Sequence, residues 1–397
     1  MSRQAILFLG RDSGTSRHRA LAFRRLGYDV TIVDPFSFFP TSRLVGLWTW
    51  HTGSLFLEEY VRRRVLASIP RRDFALVFID GGELIGPSLV VELRKRFGTV
   101  VNYNIDDPFS QRDGRRWRLY LQSLPLYNLA VVVRECNVSE AIAAGARDVL
   151  RVYMSADEIA HSPKHISEQD YRKWTSEVVF VGTWMPERGP FMARLLGLGL
   201  PLSIYGCRWH KAREWPVLRS AWRGPGLYLD DDYAKVLQCA AVTLGLLSKG
   251  NRDLTTTRSF EVPSVEAVLC AERTSEHAAL YRENRDAVFW SDAEECAQTC
   301  RRLLSDADLR QSLRKNGRRR CLQNGTTNQR ILTQILDRIS ATAGLQIPGT
   351  RCEQPVAACA ADEPRRLASP SSGEISQVEM SAEGARSHAA GPRATAL

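Results

Sequence analysis

The sequence predicts an α/β protein made of two doubly wound parallel-sheet halves. Three observations carry that expectation. Short apolar runs closed by Gly or Asp alternate with segments of helical spacing, the pattern of parallel strands joined by crossover helices. The pattern stops near residues 155–174 and then starts again. The 397 residues, 44% of them hydrophobic, suffice for two ordinary cores.

In the first half, AILFLG (Ala5 to Gly10) reads as a buried strand because it is a continuous apolar run ended by glycine. Ala20, Leu21, Phe23 and Leu26 follow at helical spacing until Gly27 stops them, and DVTIVD resumes as a strand. The unit recurs as FALVFIDG (Phe74 to Gly81), a helix around SLVVELRKRFG, and TVVNYNID (Thr99 to Asp106). A basic helical stretch, the strand LAVVVRE (Leu129 to Glu135) and a short helix lead to DVLRVYM. Between Ser155 and Trp174 polar residues and a proline replace the apolar runs. That marks a linker over 163–176, between halves at 1–162 and 177–342.

The second half begins with EVVFVG (Glu177 to Gly182), a helix over FMARLLGLG and the strand LSIYG (Leu202 to Gly206). A Trp- and Gly-rich connector, the helix DDYAKVLQCA and the strand AVTLGLL (Ala241 to Leu247) come next. A helix is expected to begin at VPSVEAVL, because proline suits a first helical turn. AVLCAER and AVFWSD close the series as strands, and helices follow from Ala293 and Asp306. Residues 343–397 are rich in Ala, Ser, Pro, Gly and charge, with too few large apolar side chains to offset the entropy of ordering, so a disordered tail is expected.

The formal net charge is +10, with arginines clustered at Val61 to Asp73, Arg112 to Arg118 and Arg314 to Arg320. Such faces attract phosphates, nucleic acid or an anionic membrane; solvated helix faces are the plain alternative. No run approaches the ~18 apolar residues of a membrane span, and MSRQAILFLGRDSG meets charge too early for a signal peptide. The expected setting is cytoplasmic, with the inner face of a membrane as a surface the chain could touch. Nine cysteines form no paired C-x-x-C framework. Cys296 and Cys300 share a helical face but lack a second pair of ligands nearby in sequence, so no metal site is expected.

Ligands of open parallel sheets bind beyond the carboxyl ends of the strands, and four loops have that address. GRDSGTSRHR, with Gly10, Gly14, Thr15, Ser16 and His18, is neither a dinucleotide fingerprint nor a P-loop, and offers a turn into a helix or an anion or sugar contact. NYNIDDPF places Asn104, Asp106 and Asp107 at a strand end before a proline, either as an Asx turn or as groups that recognise hydroxyls or take a proton. FVGTWMPERG supplies Gly182, Thr183 and Arg188, the last able to neutralise a diphosphate. DLTTTRSFEVPSVEA crowds Asp253, Thr256, Arg258, Ser259, Phe260, Glu261 and Glu266 together. Capping explains one of these glutamates but not two with an arginine, which favours a binding site.

Those motifs together, with ERTSEHAALYRENRDAVFWSDAEEC, resemble the CgeB (spore-maturation-type) bacterial glycosyltransferases of the GT-B fold, over Ala5 to Ile339. The resemblance implies two Rossmann-like domains facing across a cleft, a nucleotide-sugar donor held mainly by the second, an acceptor held by the first, and no metal or other cofactor. In retaining GT-B enzymes an arginine and a lysine contact the diphosphate and two glutamates eight positions apart flank the sugar and ribose. Arg188 stands at the lysine position and Thr183 at that of the arginine. Glu266 matches the second glutamate, and the first falls on Arg258. The CgeB-like pattern D-x-x-T-x-R-[ST]-F-E-[IV]-P is met by Asp253, Thr256, Arg258, Ser259, Phe260, Glu261, Val262 and Pro263, although that group usually has glycine at position 266.

The resemblance gives Arg258 and Arg188 the charge of the leaving diphosphate, an electrostatic task. It gives Glu261 or Glu266 the sugar or ribose hydroxyls, with Gly182, Thr183, Asp253, Thr256, Ser259 and Phe260 around the donor. Asp107 is the expected acceptor-side base, among Ser16, His18, Asn104 and Asp106. His161 is a further candidate, although a lone histidine is more often structural. The expected function is sugar transfer from a nucleotide-sugar to a glycan, lipid-linked or protein acceptor, with retention. A degenerate binding protein without turnover is the alternative, and a nucleic-acid binder rests on charge alone.

Overall fold

The structure is a computed structural model that describes residues 3–40, 43–227 and 230–343. Its first half comprises β1 (Ala5–Leu9), α1 (Gly14–Arg25), β2 (Asp29–Val33), α2 (Arg43–Thr52), α3 (Glu58–Ser68), β3 (Leu76–Asp80), α4 (Pro87–Phe97), β4 (Val100–Asn104), α5 (Arg118–Ser123), β5 (Leu129–Val132), α6 (Cys136–Ala143) and β6 (Val149–Arg151). A short helix α7 (Glu168–Trp174) lies in the connection, started by a capping box in which Ser167 and Asp170 satisfy each other's backbone amides. The second half comprises β7 (Ser176–Val181), α8 (Arg188–Gly197), β8 (Leu202–Tyr205), α9 (Trp215–Leu218), β9 (Trp222–Gly224), α10 (Asp230–Cys239), β10 (Ala240–Gly245), α11 (Arg258–Ser264), β11 (Leu269–Glu272), α12 (Ser275–Leu280), β12 (Val288–Trp290) and α13 (Ala293–Ser305). Helices α14 (Ala307–Gln323) and α15 (Asn328–Ala343) end the described chain. The tail expected to be disordered lies outside the described residues from 344 onward.

Both sheets have six strands, and every strand pair in them is parallel. The first has the order β2-β1-β3-β4-β5-β6 and the second β12-β11-β10-β7-β8-β9. Each order reverses direction once, between β1 and β3 and between β7 and β10. Adjacent loops diverge at such a reversal and leave a crevice at the carboxyl edge. The strands that flank it are buried on both faces, as Ile6, Leu7, Phe8 and Leu9 are in β1. Phe8 pairs in register with Phe78 of β3, and their rings stack with centroids 5.5 Å apart.

The two sheets turn their carboxyl edges toward each other. A second crossing of the chain keeps them so: Ala156 and Thr327 form a parallel bridge, and Asn328 bonds Ser155 and Asp157. Helix α15 then packs on α1, burying Ile331, Leu332, Ile335, Leu336 and Ile339 in the same cluster as Ala20 and Phe23. Arg25 of α1 fastens that corner through Asp157 at 2.6 Å and Glu158 at 2.7 Å.

Several elements depart from the sequence reading. Strand β9 lies within the connector and is only three residues long, too short to display a period. Helices α2 and α3 fill the stretch between β2 and β3, for which only a basic cluster was noted. Helix α11 begins at Arg258 and ends at Ser264, four residues ahead of the expected start, with Pro263 inside it. Proline there cannot bond the Ser259 carbonyl, which instead accepts from the Tyr281 hydroxyl at 2.7 Å. The helix closes in a Schellman pair, Ala267 N–H to Val262 O and Glu266 N–H to Pro263 O. That geometry puts Glu266 at φ 62, the left-handed region that favours glycine.

Glu266→Gly is therefore expected to stabilise the protein by up to about 1 kcal/mol, and Glu266→Val to destabilise it by a similar amount, measured by chemical denaturation.

Candidate functional site

The loops after β7 and β10 meet at the reversal of the second sheet. Gly182 ends β7: its N–H donates to Tyr205 O at 2.8 Å and its carbonyl accepts from Trp209 Nε1 at 3.0 Å. A Cβ on the neighbouring Gly206 would lie 1.9 Å from the Gly182 carbonyl oxygen, so the two loops touch only because that position lacks a side chain. Thr183 follows, half-buried, with its carbonyl accepting from Arg188 Nη1 at 2.7 Å. Arg188 is buried and also directs Nη2 to the carbonyls of Leu246 and Leu247, its guanidinium 5.5 Å from the Phe180 ring. These bonds turn Arg188 toward backbone oxygens at the ends of β7 and β10. It shapes the crevice floor.

Arg258, the first residue of α11, is half-buried at the same crevice. Its Nε donates to Val181 O at 3.1 Å and Nη1 to Thr257 Oγ1 at 3.2 Å. A buried relay behind it fixes the start of the helix. Thr256 N–H donates to Ser259 Oγ at 3.0 Å, and Ser259 Oγ lies 2.7 Å from His277 Nε2. His277 Nδ1 is 2.7 Å from Glu272 O, a carbonyl that can only accept, so Nδ1 carries the proton and Nε2 accepts from Ser259. Burial pulls the His277 pKa down to about 4, which keeps the ring neutral. Thr256, Ser259 and Phe260 are buried, and Phe260 packs against Tyr153 in the core. They hold Arg258 in place.

Glu261, one turn further on, faces a cluster from three parts of the chain. Its Oε2 accepts from the Tyr233 hydroxyl at 2.6 Å, and its Oε1 is 3.7 Å from His161 Nε2. The His161 ring meets Tyr233 edge-on at 5.7 Å and His18 at 5.6 Å. Burial alone would push the Glu261 carboxyl up; His161, Arg258 and the Tyr233 bond outweigh it and hold it below the usual carboxylate range. The sequence reading named each histidine separately, and nothing in it pointed to Tyr233. Glu266 is not part of this group. It follows the far end of α11 at the opposite edge of the sheet, where its charge acts on Arg314, so the expectation that both glutamates share a first helical turn is incorrect.

On the facing lobe, Ser16 lies on α1 with a buried hydroxyl that has no partner among the described residues. Asn104 ends β4, its Oδ1 accepting from Asp106 N–H at 2.9 Å while its buried Nδ2 finds no partner. Asp106 lies 3.7 Å from Arg116 Nη2, and burial pushes its carboxyl up against that guanidinium's pull. Asp107 is fully buried and accepts five hydrogen bonds. It accepts from the N–H groups of Phe109 and Ser110, from Asn137 at 2.9 Å, and from Arg252 at 2.6 and 2.8 Å. This is the Asx-turn alternative with a cross-cleft ion pair added: Oδ1 takes four of these bonds and Oδ2 takes the one from Arg252 Nε.

Further bridges span the cleft. Arg134 after β5 donates through Nε to Asp253 Oδ1 at 2.9 Å, both side chains buried, and Arg112 donates to Ser248 Oγ at 3.1 Å. Burial pushes the Asp253 carboxyl up despite Arg134. Arg252 also reaches Glu140 at 2.8 Å. Sequence spacing cannot show these pairs, whose members lie more than a hundred residues apart.

Away from the cleft, in the core of the second lobe, Cys270 of β11 joins Cys296 and Cys300 of α13, their three sulfurs within 4.8 Å of one another. The third thiol comes from a strand that the spacing of the other two could not reveal. All three are buried among apolar side chains.

Residues 188–337 match a protein-family model described as glycosyl transferase-like, less than half of the chain. No curated protein matches the sequence. Among solved structures, the chain is similar to sucrose-phosphate synthase from Thermosynechococcus elongatus, with 13% identity, a TM-score of 0.63, and coverage of 85% of this chain and 100% of that one. It is similar to Anabaena HepE in complex with UDP-glucose, with 13% identity, a TM-score of 0.59 and the same coverages. It is also similar to α,α-trehalose 6-phosphate synthase from Burkholderia multivorans, with 13% identity, a TM-score of 0.54 and coverages of 87% and 100%. The chain has their two-domain α/β arrangement, the GT-B fold.

The lowered pKa of Asp107 ties stability to pH. Burial pushes this carboxyl up, but Arg252, Asn137 and the nearby Arg134 overcome that, so its contribution is complete above the ordinary carboxylate range and is lost as pH falls through the lowered value. Asp107→Asn is expected to cost about 2 kcal/mol at pH 7 and progressively less as the medium is acidified, measured by denaturant unfolding across pH.

Proposed function

We propose that the protein is a glycosyltransferase that moves a sugar from a nucleotide-sugar to a glycan, lipid-linked or protein acceptor, without a metal ion, in the CgeB-like branch of GT-B enzymes. The observation that carries this is Arg258 at the β7–β10 crevice, where it bonds Val181 O and follows the Thr256–Ser259–His277 relay. A cation fixed in a low-dielectric cleft stabilises the charge that develops on a departing diphosphate without reorganising. The glycosyl transferase-like match over 188–337 and the fold shared with HepE, solved with UDP-glucose, support the same reading.

The donor diphosphate lies along Gly182, Thr183 and Arg258, with Arg188 beneath it. Glu261 takes the ribose or sugar hydroxyls. The eight-residue carboxylate spacing, sought at 258 and 266, is met by Asp253 and Glu261, and retention of configuration is proposed on that spacing. Asn104 Nδ2 and Ser16 Oγ, buried and unpartnered among the described residues, are the polar groups offered to the acceptor, beside Asp106 and His18. A binding protein without turnover is the second reading. It is favoured by the pairing of Asp107 with Arg252, which holds that carboxylate ionised and away from the role of a base.

One nucleotide or its sugar, among UDP, GDP, TDP and CMP, is expected to stabilise the protein by about 2.7 kcal/mol at a hundredfold excess over Kd, read as a rise in Tm. Arg258→Ala should abolish that rise while Glu266→Gly leaves it intact. No rise with any of them, from a folded sample, would count against a nucleotide-sugar donor. With a matching donor and acceptor, proton NMR of the first-formed product should show the donor's anomeric configuration; inversion would overturn retention.

A further inference from the structure

Six large apolar side chains with more than a third of their surface exposed fall within 17 consecutive residues: Leu44, Leu47, Trp48, Leu55, Phe56 and Tyr60. Leu44 is 77% exposed and Phe56 82%, whereas the other exposed apolar residues of the described chain are scattered. The six lie on α2, on the turn after it and on the start of α3. The turn is built to display them: Trp48 Nε1 bonds Leu55 O at 2.9 Å, the Tyr60 hydroxyl bonds Phe38 O at 3.0 Å, and Phe56 stands out at φ 65.

Basic residues edge this face. Between residues 44 and 72 there are five arginines against two glutamates. Glu58 is occupied at the start of α4 by Ser88, and Glu59 is shared by Arg62 and Arg63. Arg63, Arg64 and Arg71 are exposed, while Arg72 is paired with Asp29 of β2. The other two basic clusters differ. Arg314, Arg318 and Arg320 donate to backbone carbonyls of Ala240, Ser264 and Leu280, and Arg112 and Arg116 bond Asp113 and other groups at the cleft. Among the described residues, the first cluster adjoins six exposed large apolar side chains, whereas the Arg314–Arg320 cluster has Leu322 beside it.

We propose that the α2–α3 face docks on an anionic lipid bilayer, with Phe56, Leu44 and Trp48 entering the interfacial layer and the α3 arginines meeting lipid phosphates. Aromatic and aliphatic side chains beside arginine suit the boundary between acyl chains and headgroups. A second copy of the chain would bring two positive faces together, which charge opposes. No helix among the described residues is long and apolar enough to cross a membrane, so such contact is one of lying on the surface. The face also leads to the cleft: Trp50 of α2 lies 5.2 Å from the Arg116 guanidinium, which forms ion pairs with Glu83, Asp113 and Asp106. Given the transferase reading above, on which this last step rests, the acceptor at Asp106 and Asn104 is lipid-linked and arrives from the bilayer.

The test is co-sedimentation of the full chain with phosphatidylcholine vesicles, with and without phosphatidylglycerol, and with no donor or acceptor present. Binding is expected only to the anionic vesicles and should weaken as salt rises. Phe56→Ser with Leu44→Ser should reduce partitioning at least about tenfold, and Arg63→Glu about fivefold or more. Each side chain is exposed, and the Tm of each variant confirms folding. Absence of vesicle binding, or binding unchanged in these variants, overturns the proposal. Concentration-dependent dimerisation relieved by Phe56→Ser, without vesicle binding, would make the face a contact between copies and overturn it too. Vesicle binding without any nucleotide-induced rise in Tm would uphold docking while removing the transferase reading, so the two can fail separately.

Discussion

The site depends on the buried pair of Arg134 and Asp253, which joins the carboxyl edge of one sheet to that of the other. Two charges removed from water are tolerated only when each finds a well-aligned opposite partner, and breaking such a pair costs far more than it contributes. The pair therefore constrains orientation more than it adds stability. With Arg252 on Asp107 and Arg112 on Ser248, it fixes which loops face each other, and so which side chains can meet one ligand.

The same economy of acceptors runs through the second lobe. Parallel strands end in carbonyls that nothing in the sheet satisfies, and this chain meets several of them with side chains from elsewhere. Arg188 serves the ends of β7 and β10, and Tyr281 serves the carbonyl that Pro263 leaves unbonded in α11. Arg314 and Arg318 do likewise at the opposite edge. Much of the excess positive charge is thus internal scaffolding. At the crevice, Arg258 is held at the start of α11 by Val181 O and Thr257 Oγ1.

Much of the fold was legible in the sequence. Eleven of the twelve strands could be placed, because a parallel strand buried on both faces must be apolar and its ends must turn. The loops at the carboxyl ends could be placed for the same reason, whereas the strand order, and so the point of reversal between β7 and β10, came from the tertiary structure. Individual roles were less legible. Glu261 and Glu266 are five residues apart and look alike in sequence, yet one faces the cleft and the other closes a helix in a left-handed turn. Asp106 and Asp107 are adjacent, and only the second is bonded by Arg252 and Asn137.

Local pattern determined the layers, the strand ends and the stretches rich in cations, because hydrophobic period and turn chemistry act over a few residues. Tertiary structure alone decided which cations stay available, which carboxylates are spent, and that His18, His161, Tyr233 and Glu261 form one group. The reason is physical. A charged or polar side chain takes its role from the partner that satisfies it when water is excluded, and here that partner is commonly more than a hundred residues away.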